Sequence, residues 1–167
     1  MKHLTLTAVS LLLFSLVNVS YGQISQTERE ALIALYNSTN GANWTDNTGW
    51  LGDAGTECNW YGITCSSGSV SRVDLSNNSL TGSIPSALGN LTNLTRLYLQ
   101  DNSLTGSIPA ELGNLTNLTQ LYLWYNSLTG SIPSALGNLT NLTDIEINDN
   151  SLTGSIPAEL GNLTNLT

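Results

Sequence analysis

Basic residues are almost absent from this sequence. The chain has four Lys and Arg residues and 12 Asp and Glu residues, which give it a formal net charge of −8. Lys2 is its only lysine, and His3 is its only histidine. A nucleic-acid or anionic-membrane partner requires a basic surface, so neither is expected. Without Lys or His beyond position 3, histidine-based triads, histidine metal sites and catalytic or phosphate-binding lysines are excluded. We predict no enzyme activity, no cofactor and no metal site.

Long apolar runs are also lacking, except at the N-terminus. A basic start precedes the apolar stretch Leu4 to Val19, and the small residues Ser20 and Gly22 follow. This layout predicts a secretory signal peptide at 1–22 and a secreted or cell-surface protein. The alternative is an uncleaved anchor, but the stretch contains Thr and Ser and falls short of the about 20 apolar residues that a span needs. No membrane insertion of the mature chain is expected.

Cysteine is scarce as well. Cys58 and Cys65 are the only two, and they enclose six residues. Export exposes them to an oxidising environment, which favours a disulfide between them. Two thiols without a nearby histidine do not complete a zinc site, and the spacing differs from the two-residue gap of a redox dithiol. We therefore predict a structural disulfide.

The dominant positive feature is a repeat of 24 residues that starts at Asn78. Complete copies occupy 78–101, 102–125 and 126–149, and a fourth stops at Thr167 without its last six positions. A fixed period of this length is typical of a solenoid, in which stacked copies share one core.

The apolar spacing within a copy indicates the local structure. The positions Leu94, Leu97, Leu99, Asn102 and Leu104 follow L-x-x-L-x-L-x-x-N-x-L. Alternation at 97 and 99 predicts a short strand with one buried face. This is the leucine-rich repeat pattern, and the continuation Thr-Gly-Ser-Ile-Pro resembles the plant-type subclass. The resemblance covers 70–167 and implies a right-handed α/β solenoid with a parallel concave sheet.

Several recurring residues are interpreted as structural. One asparagine per copy is expected to form a ladder, because a carboxamide both donates and accepts hydrogen bonds. These asparagines are Asn78, Asn102, Asn126 and Asn150. The recurring glycine, as at Gly82, permits a tight turn, and the recurring proline, as at Pro85, lies where no strand donor is needed.

Residues 23–69 are predicted to cap the first coil. Ser25 and Glu28 match a capping box, which predicts a helix that ends at Asn40-Gly41. Its apolar face comprises Ala31, Leu32, Leu35 and Tyr36. The tryptophans Trp44, Trp50 and Trp60 are interpreted as core residues. The segment Cys58-Asn-Trp-Tyr-Gly-Ile-Thr-Cys65 resembles the Cys-x-Trp-x-Gly-x-x-Cys of plant-type leucine-rich repeat N-terminal caps.

The last copy departs from the family, whose members finish with a polar or disulfide-bearing cap. Five apolar side chains are expected on an open end: Leu152, Ile156, Leu160, Leu163 and Leu166. This departure favours a fragment of a longer protein.

The copies differ mainly in their last six positions, at residues predicted to project from the concave sheet. They form four columns: Arg72, Arg96, Gln120, Asp144; Asp74, Tyr98, Tyr122, Glu146; Ser76, Gln100, Trp124, Asn148; and Asn77, Asp101, Tyr125, Asp149. Variation on a copied frame predicts a ligand-binding surface, and neutral drift of an exposed face is the alternative.

An aromatic cluster with acidic neighbours suits a protein, peptide or glycan ligand. The cluster consists of Tyr98, Tyr122, Trp124 and Tyr125, and its acidic neighbours are Asp101, Asp144, Glu146 and Asp149. The resemblance implies a role like that of extracellular receptor domains or polygalacturonase-inhibiting proteins. The alternatives are an adhesive surface protein and an ice-binding protein that uses regular threonines, namely Thr92, Thr95, Thr116 and Thr119. A glycosidase pair at Asp144 and Glu146 is disfavoured, because an open sheet offers no cleft that excludes water.

Asparagine sequons recur through the chain. In a eukaryotic secretory pathway some would carry glycans, which predicts a glycoprotein. The alternative is that Asn-Leu-Thr is simply part of the repeat. The sequons are Asn37, Asn43, Asn77, Asn90, Asn93, Asn114, Asn117, Asn138, Asn141, Asn162 and Asn165.

Overall fold

The computed structural model describes residues 23–167, so the predicted signal peptide lies outside the described residues. The chain begins with helix α1 (Gln26–Ser38), followed by short 3₁₀ segments at Gly41–Asn43 and Glu57–Asn59. A hairpin of β1 (Ile63–Ser66) and β2 (Ser69–Asp74) then leads into the repeats.

Each complete repeat contributes two short strands and one 3₁₀ segment, and the fourth copy contributes one of each. The strands are β3 (Thr81–Ser83), β4 (Arg96–Tyr98), β5 (Ser103–Thr105), β6 (Gln120–Tyr122), β7 (Thr129–Ser131), β8 (Asp144–Glu146) and β9 (Ser151–Thr153). The 3₁₀ segments are Ser86–Asn90, Ala110–Asn114, Ser134–Asn138 and Ala158–Asn162. A proline immediately precedes each of these four segments, where its missing N–H leaves no hydrogen bond unmade.

The main sheet has five strands in the order β1-β2-β4-β6-β8. The four strands β2, β4, β6 and β8 are parallel and pair residues one repeat apart, such as Leu97 with Leu121. The predicted parallel sheet is therefore confirmed. Strand β1 is antiparallel to β2 and was not predicted; it pairs with an edge that would otherwise present free N–H and C=O groups.

Two narrow parallel sheets form a second feature that the sequence pattern did not predict. Strand β3 pairs with β5, and β7 pairs with β9. An isolated bridge between Ser107 and Thr129 links the two pairs across the middle coils. Each coil thus turns from a main-sheet strand into a short outer strand and then into its 3₁₀ segment.

The core is a continuous column of leucines. Leu91, Leu94, Leu97 and Leu99 of one coil are fully buried, as are their equivalents in the next coil. Because one coil cannot cover its own leucines, this burial depends on stacking.

The N-terminal cap closes one end of this core. Helix α1 begins with the predicted capping box of Ser25 and Glu28 and ends at Ser38, two residues before Asn40. Tyr36, on its predicted apolar face, is half-buried. The three cap tryptophans Trp44, Trp50 and Trp60 are buried in the core, as predicted. Cys58 and Cys65 form the predicted disulfide.

In the last coil of the described chain, only two of the five apolar side chains predicted for an open end are exposed. Ile156 is 76% exposed and Leu166 is 40% exposed, whereas Leu163 is buried. Leu152 and Leu160 are half-buried against the core. The prediction was wrong for Leu163, because this side chain occupies the interior position equivalent to Leu139 and is covered by the coil before it. No helix within 23–167 is long and apolar enough to cross a bilayer.

Candidate ligand-binding face

The predicted site residues lie along the concave strand face, which we define as the outward side chains of β2, β4, β6 and β8 with the turn residues that follow them. The register aligns Arg72, Arg96, Gln120 and Asp144 in one column and Asp74, Tyr98, Tyr122 and Glu146 in a second. The intervening column is apolar, from Val73 to Ile145, and faces the core. Strand alternation therefore places the first two columns on one surface.

The third and fourth columns do not lie in strands, because the strands end at Asp74, Tyr98, Tyr122 and Glu146. The fourth column occupies turns with positive φ: Asn77 at 48°, Asp101 at 56°, Tyr125 at 49° and Asp149 at 52°. Asn and Asp tolerate this left-handed conformation better than other non-glycine residues. Tyr125 does not share that tolerance, and its side chain is 58% exposed. Backbone strain of this kind concentrates at functional sites.

The aromatic residues form two pairs rather than one cluster. The rings of Tyr98 and Tyr122 are stacked, with centroids 4.8 Å apart and planes 9° from parallel. Trp124 and Tyr125 meet edge to face at 5.4 Å. Within 23–167 no ring contact joins the two pairs, so the face offers two separate aromatic platforms.

Arg72 covers one end of the tyrosine stack. Its guanidinium lies 5.0 Å from the ring centroid of Tyr98. Its Nη2 also donates to the Asp74 carboxylate at 2.5 Å, while its buried Nε has no partner in the described chain. Arg72 and Asp74 thus form a cation-and-carboxylate pair above the ring.

A hydrogen-bond chain runs across the middle of the face. The hydroxyl of Tyr98 donates to Oε1 of Gln120, whose Nε2 donates to Asp144 at 3.2 Å. The hydroxyl of Thr143 also donates to Asp144, at 2.7 Å. Burial, with further contributions from Asp144, Tyr98 and Glu146, raises the pKa of Tyr122 above its usual 10.0. These contacts orient the tyrosine stack.

Charge is distributed unevenly along the face. Arg72 and Arg96 lie at the end near the cap, and Asp144, Glu146 and Asp149 lie at the far end. In the part of the chain that the structure describes, neither Arg96 nor Glu146 forms an ion pair. Both arginines of the face therefore lie near the cap, together with Asp74 and Asp101, whereas the charged residues of the far end are all carboxylates.

The asparagines of the ladder lie behind the face and make structural contacts. Asn102 donates through Nδ2 to the carbonyls of Leu75 in the preceding coil and Leu99 in its own, at 2.9 and 3.0 Å. Its Oδ1 accepts the backbone N–H of Leu80 at 2.9 Å. Asn126 and Asn150 repeat this arrangement. Asn78 instead bonds to the backbone of Asp46 in the cap, which joins the cap to the first coil.

Asp144 and Glu146 project from an open sheet, where water reaches both side chains. Within 23–167 no group of three His, Cys, Asp or Glu could hold a metal ion. The arrangement is suited to contact with a ligand through aromatic rings and charged groups.

A capped solenoid with an apolar core and a variable strand face defines a repeat protein. A leucine-rich repeat model matches residues 68–128, and a model of two such repeats matches 116–158. The BIR2 ectodomain from Arabidopsis thaliana is 30% identical with a TM-score of 0.76, and the alignment covers 86% of this chain and 77% of that one. The chain belongs to the leucine-rich repeat family, in its plant-type form.

Two further structures are similar over a smaller share of their own length. The plant peptide hormone receptor RGFR1, solved in complex with RGF2, is 40% identical with a TM-score of 0.60 over 65% of this chain and 20% of that one. A plant ice-binding protein is 30% identical with a TM-score of 0.77 over 86% of this chain and 47% of that one. The chain thus spans a fifth of the receptor chain and about half of the ice-binding protein.

Proposed function

We propose that the concave strand face binds a peptide or protein ligand and that the chain acts as an extracellular, non-catalytic recognition module. The observation that carries the proposal is the contrast between neighbouring columns. Buried positions keep an apolar residue from Val73 to Ile145, whereas the adjacent outward column changes from Arg72 to Asp144 in the same register. The need for a stable core explains why the buried column stays apolar, and selection of a ligand explains why the outward column changes.

The aromatic platforms support the same proposal. Tyr and Trp bring large contact areas at small entropic cost and are enriched where interfaces bind most strongly. Trp124 and Tyr125 extend from adjacent turn positions, and Tyr125 is held exposed in an unfavourable backbone conformation. The similarity to a receptor solved with a peptide hormone points to a peptide ligand.

An extracellular location is consistent with two features. The similar BIR2 structure is an ectodomain, Cys58 and Cys65 form a disulfide, and such bonds persist in oxidising compartments. We propose the same division of the chain as the sequence analysis: a signal peptide at 1–22, a cap at 23–69 and repeats at 70–167.

The size of the face sets the expected affinity. Four strands about 4.8 Å apart, each with two outward residues and two residues from the turn that follows, make a patch of roughly 15 by 15 Å. This is well below the roughly 800 Å² that each partner buries in a stable complex. A short peptide is therefore the ligand that fits, with an affinity in the micromolar range or weaker.

A peptide and glycan array tests this proposal. The wild-type protein should bind a defined subset of peptides, and the Trp124→Ala, Tyr122→Ala double variant should lose them. Leu51→Ala is the matched control, because it removes an exposed apolar side chain from the cap. Retention of the same subset by the double variant would contradict this location of the site. Unselective binding by both proteins would indicate adhesion instead.

Ice binding is a second candidate because of the similarity to a plant ice-binding protein. The structure limits which threonine hydroxyls are free to contact ice. The hydroxyls of Thr95 and Thr119 donate to backbone carbonyls of the preceding coil at 2.8 and 2.9 Å. Thr92 and Thr116 remain exposed. Inhibition of ice recrystallisation by wild type, and its loss in Thr116→Val, would support this function, and unchanged ice growth in the presence of wild type would exclude it.

A further inference from the structure

The tyrosine stack on the concave strand face crosses successive strands of the main sheet. The guanidinium of Arg72, the ring of Tyr98 and the ring of Tyr122 come from three successive strands. Their separations are 5.0 Å and 4.8 Å, close to the spacing of strands in a sheet. The stack therefore advances by one member per strand, and the next member would lie over β8.

The two ends of the stack differ. On the β2 side, the Arg72 cation covers Tyr98 and is paired with Asp74. On the β8 side, no ring or cation of residues 23–167 covers Tyr122. The residue in register with Tyr122 is Glu146, which is exposed and whose carboxylate has no hydrogen-bond partner in the described chain. The β8 end thus has the carboxylate but lacks the cation.

The column that runs from Arg72 to Asp144 explains why the chain does not supply that cation. It carries Arg72 and Arg96 on β2 and β4, but Asp144 on β8. Asp144 places a second carboxylate beside the open ring face. An electron-rich ring face flanked by carboxylates attracts a cation from outside the chain.

We propose that the outer face of Tyr122 and the carboxylate of Glu146 form a subsite for the guanidinium of a ligand arginine. The subsite rests on the proposed function and specifies one side chain of the peptide ligand. A guanidinium fits better than an ammonium, because it is planar, stacks on a ring and donates two parallel hydrogen bonds to a carboxylate. At the opposite end of the stack, Arg72 lies over the Tyr98 ring and donates one hydrogen bond to the Asp74 carboxylate.

Small capped amino acids test the subsite without knowledge of the full ligand. N-acetyl-L-arginine amide is titrated into the protein, and the Tyr122 ring signals, assigned by their loss in Tyr122→Phe, are followed by NMR. We expect a saturable shift in the millimolar range. N-acetyl-L-citrulline amide, a neutral analogue of similar shape, should bind at least tenfold more weakly, and the lysine analogue at least threefold more weakly. Equal shifts with citrulline or lysine would overturn the assignment.

Charge-neutralising variants locate the carboxylate involved. Glu146→Gln should weaken binding of the arginine amide at least fivefold, while its exposed side chain leaves the fold intact. Glu111→Gln is the matched control, because Glu111 is also exposed but lies in the 3₁₀ segment Ala110–Asn114. Full binding by Glu146→Gln, or an equal loss in Glu111→Gln, would contradict the proposal.

The peptide array separates failure of the subsite from failure of the proposed function. If the selected peptides depend on Trp124 but tolerate replacement of every arginine by citrulline, the subsite is wrong and the binding function stands. If the arginine amide binds at Tyr122 while no peptide binds the concave strand face, the subsite stands and the proposed function fails.

Discussion

Glu28 and Val70 join the cap helix to the first strand of the solenoid. One carboxylate oxygen of Glu28 accepts the backbone N–H of Val70 at 3.0 Å, at a buried position. The other oxygen accepts the backbone N–H and the hydroxyl of Ser25, at 3.0 and 2.9 Å. The residue that completes the capping box therefore also holds the helix against the sheet.

We predict that Glu28→Ala lowers the free energy of unfolding by about 2–3 kcal/mol, because it leaves buried donors unpaired. Urea denaturation measures the change. Glu30→Ala is the control, since within 23–167 its carboxylate accepts only from the exposed Gln26 amide; its cost should stay under about 0.5 kcal/mol. Equal costs for the two variants would contradict the role assigned to Glu28.

The stacking of the 3₁₀ segments requires glycine at Gly113. A Cβ atom there would lie 2.4 Å from the carbonyl oxygen of Ala135 in the next coil, whereas nothing lies within 4 Å of a Cβ at Gly161. Gly113→Ala should destabilise the protein by about 1–3 kcal/mol through overpacking. Gly161→Ala should be neutral or slightly stabilising. Thermal unfolding of both variants checks the contrast, and a stable Gly113→Ala would show that the coils are not so closely packed.

The asparagine ladder should contribute to stability at each step. Asn126 donates to the carbonyls of Leu99 and Leu123 and accepts the N–H of Leu104. Asn126→Ala should therefore cost about 2–4 kcal/mol, the cost of more than one unpaired backbone group. The exposed Asn138 is the control, and Asn138→Ala should cost under about 0.5 kcal/mol. Similar denaturation midpoints for the two variants would contradict the ladder.

The pKa of Tyr122 reports the environment of the tyrosine stack. Burial raises this pKa above 10.0, and the nearby Asp144 raises it further. Asp144→Asn should lower the pKa, whereas Asp53→Asn in the cap should leave it unchanged. Because the folded-state pKa is the higher one, the stabilisation is complete below the unfolded-state pKa and is lost as pH rises through the folded-state value. An NMR titration of the ring signals measures the pKa, and no change in Asp144→Asn would contradict the geometry.

Much of the fold was predictable because the repeat encodes it directly. The spacing of Leu94, Leu97 and Leu99 predicted the buried strand, and a 24-residue period required each strand to pair in parallel with its copy. The narrow outer sheets were not predictable from periodicity. Strand β3, for example, is the exposed tripeptide Thr81–Ser83, in which no alternation between buried and exposed residues exists.

The candidate site was predictable only in part. The columns through Tyr98 and Tyr122 followed from strand alternation. Their stacking did not, because it depends on side-chain rotamers that the pattern does not determine. The turn conformation of Tyr125 was also missed. The Asp101 and Asp149 in equivalent positions are a usable signal for positive φ, since aspartate tolerates that region.

Mapping a bound peptide on the protein is the most direct test that the concave strand face selects the ligand. A peptide chosen from the array is synthesised with a photoreactive benzophenone group, irradiated with the protein and analysed by mass spectrometry. Crosslinks should fall within 96–101, 120–125 and 144–149 and disappear when unlabelled peptide competes. Competed crosslinks confined to the outer segments at 81–90 and 105–114 would contradict the account.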